Sequence, residues 1–248
     1  MTATPHQIVE KAKQGFKDDL FAQDYNPIHL DDDHLATVLS LCQLLPDKQY
    51  LDLGTGNGYV AFAIAAQNSQ SLITGIDIVP QAVDANNERA KTEAYKNVAF
   101  QAYEGLTLPF DGEQFFGVVS RYVFHHFPNP ALMAQQISKI LQLDGFCVIA
   151  DPTPHQQDET DFINQFAGLK DDGHVRFYTG DRLEEIFEET GLRIEKQVAT
   201  SLTFPRTMNE AYAQLIAQTP RTILDAYQLR IEDDLVYVTV EILNTCFR

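Results

Sequence analysis

Three alternating glycines, Gly54, Gly56 and Gly58, stand between an apolar run and an alanine-rich stretch, in the order LDLGTGNGY from Leu51 to Tyr59. That arrangement dictates a strand, a tight turn and a helix. Glycine enters positive φ without steric cost and, lacking a Cβ, lets backbone pass close to a ligand. A turn alone does not need three such residues, so a ligand is expected over this one. Asp52 beside them narrows its chemistry, since a carboxylate repels a pyrophosphate and attracts an ammonium or a sulfonium. The dinucleotide fingerprint also requires a glycine three residues after the second one, and Tyr59 occupies that position.

Strand-like and helix-like patterns alternate on both sides of this turn. The sequence predicts strands over 49–53, 72–78, 97–102, 115–120 and 143–150, with helices over 60–66, 79–94 and 129–141 between them. Alternation of this kind implies right-handed crossovers and a mainly parallel sheet, an α/β fold. Beyond it, 151–180 is polar and weakly periodic, 181–190 is helical and closed by Gly191, and 192–203 is a sixth strand. Residues 206–230 read as helix broken at Pro220. A seventh strand spans 235–245, where Val236, Val238, Val240 and Ile242 share one face. The expected organisation is a single domain over 1–248, with an N-terminal helical cover over 1–45 and two excursions, 151–180 and 204–232.

Asp77 ends the second strand, 23 residues after Gly54. An acidic residue about 20 positions past such a turn takes ribose hydroxyls in Rossmann-type sites. Ile78 would then pack on a base. The net charge of −17 disfavours phosphate-rich partners, which rely on clustered Lys and Arg, and anionic membrane surfaces. No apolar run approaches a membrane span. The opening MTATPHQIVEKAKQG lacks the apolar core of a signal peptide. Cys42, Cys147 and Cys246 lie far apart in apolar surroundings and suit neither a disulfide framework nor a zinc set. A cytoplasmic protein with a small-molecule partner, no nucleic acid, no membrane and no metal is expected.

The motifs together resemble the class I S-adenosylmethionine-dependent methyltransferases, most closely the type-11 group that includes the ubiquinone and menaquinone C-methyltransferases. The resemblance rests on LDLGTGNG, GIDIVPQAVDAN, YEGLTLPFDGEQFFGVVS, RYVFHHFPNP and ILQLDGFCVIAD, and covers the chain from about Asp31 onward. Gln142-Leu143-Asp144-Gly145 departs from the family's leucine-proline-glycine-glycine turn. The resemblance implies a Rossmann-like sheet of seven strands in the order 3-2-1-4-5-7-6, the last antiparallel, with helices on both faces. It also implies S-adenosylmethionine across the carboxyl ends of strands one, two and four. Asp52 would act on its amino group and Asp77 on its ribose. Glu104 stands where the family carries an adenine-binding aspartate, with the Gly105 amide as a second adenine donor. Arg121, Tyr122, His125 and His126 follow the fourth strand, at the rim between cofactor and acceptor. On a helix the two histidines point about 100° apart, so one of them is structural.

The segment Asp171 to Tyr178 resembles an aspartate-rich, histidine-valine-arginine stretch of some type-11 members. His174 in it is either part of a substrate wall or part of a solvated loop in which Arg176 pairs with Asp171 or Asp172. Asp151 and Pro152 lie at the same rim. The N-terminal aromatics Phe16, Phe21 and Tyr25 precede a helix beginning near Asp31, and Tyr25 either reaches the cofactor's carboxylate or sulfonium or is a packed aromatic. The catalytic candidates are Arg121, His125, His126 and His174. The reaction implied is methyl transfer to an oxygen, nitrogen or carbon nucleophile of a small molecule. The alternatives are a non-catalytic module that binds S-adenosylmethionine or S-adenosylhomocysteine and, more remotely, a nicotinamide-dependent oxidoreductase.

The charge makes one direct prediction. Mixed-sequence RNA or DNA should show no salt-sensitive retention of the protein at physiological ionic strength in a filter-binding assay, and retention that falls with added salt would contradict it.

Overall fold

Five parallel strands form the centre of the molecule, and a computed structural model describes residues 3–21 and 30–248. After the helices α1 (Pro5–Phe21) and α2 (Asp32–Ser40), the chain runs β1 (Gln49–Leu53), α3 (Tyr59–Gln67), β2 (Leu72–Asp77), α4 (Pro80–Thr92), β3 (Val98–Ala102), β4 (Phe115–Arg121), α5 (Pro130–Ile140) and β5 (Leu141–Thr153). It continues with α6 (Phe162–Gly168), α7 (Gly180–Glu188), β6 (Ile194–Thr207), α8 (Glu210–Gln218), α9 (Arg221–Ala226), β7 (Arg230–Glu232) and β8 (Leu235–Phe247). The sheet order is β3-β2-β1-β4-β5-β8-β6, with β7 paired on β8. This is the expected Rossmann-like order, the strand read as seventh being β8, which runs antiparallel to both neighbours.

Alternation along each strand divides the core between the two faces of the sheet. Tyr50, Val119, Phe146 and Val148 pack on one face with Val38, Val60, Ile64 and Val83 of the flanking helices. Leu51, Leu53, Val118, Cys147 and Ile149 pack on the other with Met133, Ile137, Ile186 and Phe187. The helix starts follow local chemistry. The Asn129 side chain accepts from the Leu132 amide at 3.0 Å, with Pro130 in the first turn of α5, and α4 begins on Pro80 without a side-chain cap.

Several boundaries depart from expectation, with β5 running on to Thr153 and α6 forming inside the 151–180 excursion. The stretch after the fourth strand is a 3-10 turn over Phe124–His126 and not a helix, because Pro128 and the Asn129 cap begin the true helix only afterwards. The Gln142–Gly145 turn is absorbed into β5 as an irregularity, where pairing with β4 jumps from Phe115↔Leu141 to Gly117↔Phe146. The second excursion begins as strand. β6 continues to Thr207, into the start of the stretch read as helix, and a short β7 begins at Arg230, where that stretch ends.

That last difference shapes the ligand side of the sheet. β5 pairs with β8 only as far as Thr153↔Glu241, whereas the β6–β8 ribbon runs on to Thr207↔Leu235. The overhanging ribbon carries a third apolar cluster in which Val236, Val238, Val240 and Ile242 face Phe162, Phe166, Tyr212 and Ile223 of α6, α8 and α9. Val238→Ala, in the overhanging part of this cluster, should cost about 1.5–3 kcal/mol. Urea denaturation should show a lower midpoint with an unchanged slope, and an unchanged midpoint would mean that the overhang is not part of the cooperative core.

Candidate functional site

The turn after β1 is built by two carboxylates from adjacent strands. Asp52 is 2% exposed and accepts the Thr55 hydroxyl at 2.6 Å and the Ala61 amide at 3.0 Å. Asp77 accepts the Gly56 amide at 2.8 Å through one oxygen and the Val79 amide at 2.9 Å through the other. Gly54, Gly56 and Gly58 all have positive φ. A Cβ on Gly54 would collide with the Val123 side chain, so the turn needs the missing atom as well as the backbone angle.

A cleft opens over this turn, enclosing about 1130 Å³ including its mouth. Asp52, Gly54, Thr55, Gly56 and Asn57 form its floor, with Asp77, Ile78 and Gly105 along one side and Arg121, Tyr122 and His126 at the far end. Val9, Ala12 and Phe16 of α1 line it from above. Gly58 is not among the lining residues. It is the N-cap of α3 and abuts Phe62. Glu104 lies in a neighbouring groove beside His6 and Lys13. Its carboxylate is engaged by the amides of Leu106 at 3.0 Å and Thr107 at 2.6 Å, so it braces its own loop. Tyr25 lies outside the described residues.

The histidines separate. His125 turns inward, where its ring Nδ1 is 3.0 Å from both oxygens of Asp151 and its amide donates to Asp151 at 2.9 Å. Only His126 of the pair lines the cleft, with the Phe16 ring edge-on at 4.9 Å. His174 contacts Asn164 Oδ1 through Nε2 at 3.1 Å and lies behind the other two, its ring centre 5.6 Å from His125 and 6.4 Å from His126. Arg176 pairs neither with Asp171 nor with Asp172. Its guanidinium forks onto Asp161 at 3.1 and 2.9 Å, while Asp171 pairs with Lys11 and Asp172 with Lys170. Among the described residues no group of three or more His, Cys, Asp or Glu is placed to hold a metal.

Sequence reasoning missed His34. This α2 residue is 4% exposed. Its Nδ1 accepts from Arg121 Nε at 3.0 Å and its Nε2 meets Asn244 Oδ1 at 2.8 Å. The Tyr122 ring stacks on it at 5.1 Å, and the Tyr122 hydroxyl donates to the same Nδ1 at 3.0 Å. The available signal was Asn244, an amide in the otherwise apolar end of a strand, which demands partners once buried.

Burial sets the protonation states. It pushes His34 down to about 4, helped by the Arg121 charge. It pushes His125, His126 and His174 each down to about 3. It raises Asp52 to about 6, against the bonds from Thr55 and Ala61, and Asp151 to about 7. No helix among the described residues is long and apolar enough to cross a membrane.

Comparison with known proteins is consistent with this geometry. A family model described as a methyltransferase domain matches residues 44–191. An uncharacterized methyltransferase of Bacillus subtilis is 25% identical over 150 residues, 60% of this chain and 58% of the relative. The 27-O-demethylrifamycin SV methyltransferase of Amycolatopsis mediterranei is 30% identical over 120 residues, 48% of this chain and 43% of that protein. The chain thus spans about half the length of these two relatives. The crystal structure of a putative methyltransferase from Bacillus halodurans superposes with a TM-score of 0.78 at 22% identity, covering 86% of this chain and 97% of the other.

The buried imidazoles give a pH signature whose sign is fixed. A histidine whose folded pKa is depressed contributes stability that is present above about 6.5 and is lost as pH falls toward the folded value. The raised carboxyls of Asp52 and Asp151 act in the opposite sense, losing stability as pH rises from about 3.8 through about 6 and 7. Removing one imidazole isolates its term. In His174→Gln the stability at about pH 7 minus that at about pH 5 should be smaller than in wild type by about 1–2 kcal/mol. Equal differences in urea titrations of the two proteins would show that His174 is not held neutral.

Proposed function

The chain belongs to the methyltransferase-domain family, whose cofactor is S-adenosylmethionine, and from that premise we propose that it methylates a small-molecule acceptor. The observation that carries this reading is the single cleft joining the ends of β1, β2 and β4, with Asp52 and Asp77 at one side of the turn and Arg121 at the other. When bound, S-adenosylmethionine supplies a methyl group already activated on a sulfonium and leaves as S-adenosylhomocysteine.

The residues present suit that group. Asp52 offers negative charge to its ammonium, and Arg121 offers positive charge to its carboxylate. Asp77 keeps lone pairs for ribose hydroxyls beyond the two amides it already accepts. Ile78 gives an aliphatic face to the adenine, and Gly105, at positive φ, packs beside it where a Cβ would collide with Val9 and Ile78. Val9, Ala12 and Phe16 exclude water from the cleft, which is the role proposed for the N-terminal cover. Alignment and dehydration supply most of the rate in such a displacement, because the leaving group needs no assistance.

His126 contributes as a neutral wall and hydrogen-bond acceptor. Its pKa of about 3 lies some four pH units below neutrality, too low for an efficient base near pH 7. His125 and Asp151 brace it from behind, with His174 packed beside them. Three features support a small acceptor: the cleft is roofed by α1, the charge is −17, and one relative is a 27-O-demethylrifamycin SV methyltransferase. The three free thiols suit a reducing cytoplasm.

The test is to incubate the protein with methyl-labelled S-adenosylmethionine and a size-fractionated cell extract. Label should appear in the small-molecule fraction, and label confined to protein or nucleic acid would overturn the acceptor class. With an acceptor in hand, wild type and His126→Gln should follow the same turnover profile between about pH 6 and pH 8, because the groups raised into that range are the Asp52 and Asp151 carboxyls. A limb near about 6.5 that His126→Gln abolishes would instead identify a titrating histidine base. Asp77→Ala should weaken S-adenosylhomocysteine by about 1.5–3 kcal/mol in calorimetry. Unchanged affinity in the folded variant would leave Asp77 as a turn residue only.

A further inference from the structure

We infer that His34 is a positioning residue that aims the Arg121 guanidinium at the cofactor's carboxylate, through a chain of buried hydrogen bonds running from β6 to the rim of β4. The inference rests on the cofactor placement proposed above and extends it to a residue outside the cleft.

Arginine is a long side chain with substantial rotamer freedom. In a chain of net charge −17 it has many competing carboxylates, Asp52 among them. Among the described residues, contacts with two rings and one imidazole restrict it. The Tyr122 ring lies 4.4 Å from the guanidinium carbon and the Tyr59 ring 5.4 Å away, and Arg121 Nε donates to His34 Nδ1 at 3.0 Å. The rings hold the plane of the guanidinium, and the bond at Nε fixes its rotation within that plane.

The protons in this chain have one consistent assignment. A guanidinium nitrogen can only donate, so His34 Nδ1 carries a lone pair. The ring proton therefore sits on Nε2 and is donated to Asn244 Oδ1 at 2.8 Å. Asn244 is held in turn, its Nδ2 donating to the Val198 carbonyl and to Thr200 Oγ1, each at 3.0 Å. Every partner is buried or partly buried, and the chain ends on the backbone of β6. The residue type matters. A carboxylate at position 34 would also accept from Arg121, but it would cancel the charge that a ligand carboxylate needs. A lysine or arginine would repel the guanidinium. A neutral imidazole orients the charge and leaves it in place.

Two substitutions separate the two ends of the imidazole. His34→Asn retains an acceptor near the Nδ1 position and gives up the bond to Asn244. His34→Gln reaches the Nε2 position and gives up the acceptor toward Arg121. Calorimetric affinities are measured for S-adenosylhomocysteine and for 5′-methylthioadenosine, which lacks the amino acid moiety, with melting temperatures confirming that each variant is folded. For His34→Gln, S-adenosylhomocysteine should bind about tenfold more weakly, while 5′-methylthioadenosine stays within about twofold of wild type. For His34→Asn, which keeps the acceptor but loses the anchor at Asn244, S-adenosylhomocysteine should weaken by about threefold, less than in His34→Gln, with 5′-methylthioadenosine again within about twofold of wild type. If only one variant folds, its own ratio between the two ligands decides. Equal weakening of both ligands, an unchanged S-adenosylhomocysteine affinity in His34→Gln, or greater loss in His34→Asn would overturn the inference. Wild-type protein that binds neither ligand would instead remove the cofactor reading itself, and the inference with it.

Discussion

The carboxylate of Asp52, buried at the end of β1, is the group around which the rest of the cleft is assembled. By accepting from Thr55 Oγ1 and the Ala61 amide, it ties both limbs of the glycine turn to the strand that precedes them. Burying an anion is costly unless its oxygens are used, and here the turn supplies the donors. Burial still raises its pKa to about 6. The group is therefore poised to gain from a cation placed over it, the chemistry that its position beside three glycines implied. Asp77 completes the arrangement from the next strand by holding the Gly56 amide at the tip of the turn.

Charge is distributed unevenly around this floor. Among the described residues lining the cleft, Arg121 is the only lysine or arginine, and it stands at the end of the strand beside β1. A zwitterion laid between Asp52 and Arg121 meets a complementary charge at each end. The protein invests unusual structure on the Arg121 side. Tyr122 adopts φ 60, uncommon for a non-glycine residue, and this conformation brings its ring under both Arg121 and His34. α2 reaches the same point through His34. Its N-terminus is capped by Asp31, which accepts the His34 amide at 3.0 Å.

Much of this was legible in the sequence, for physical reasons that differ by element. The parallel strands announce themselves as short apolar runs, and the glycine turn and Asp77 are local features at characteristic spacing. Residues 124–126 misled because RYVFHHFPNP was matched to a helix of the resembled family, while the cap that starts the real helix lies further on at Asn129. Residues 204–207 misled because strand β6 is supported beyond the sheet only by β8, a pairing with partners about 30 residues downstream. Glu104 kept the family's position, yet its carboxylate turns back onto its own loop amides. His34 could not be read at all from its neighbourhood, since its partners Arg121 and Asn244 are 87 and 210 residues away.

The most direct test of the account is a crystal structure with S-adenosylhomocysteine bound. The account predicts the amino group on the Asp52 side of the turn, the carboxylate toward Arg121 and the ribose hydroxyls on Asp77. It also predicts the sulfur facing Tyr122 and His126. A ligand that lies elsewhere, or that occupies this cleft with its ribose away from Asp77 and its carboxylate away from Arg121, would contradict it.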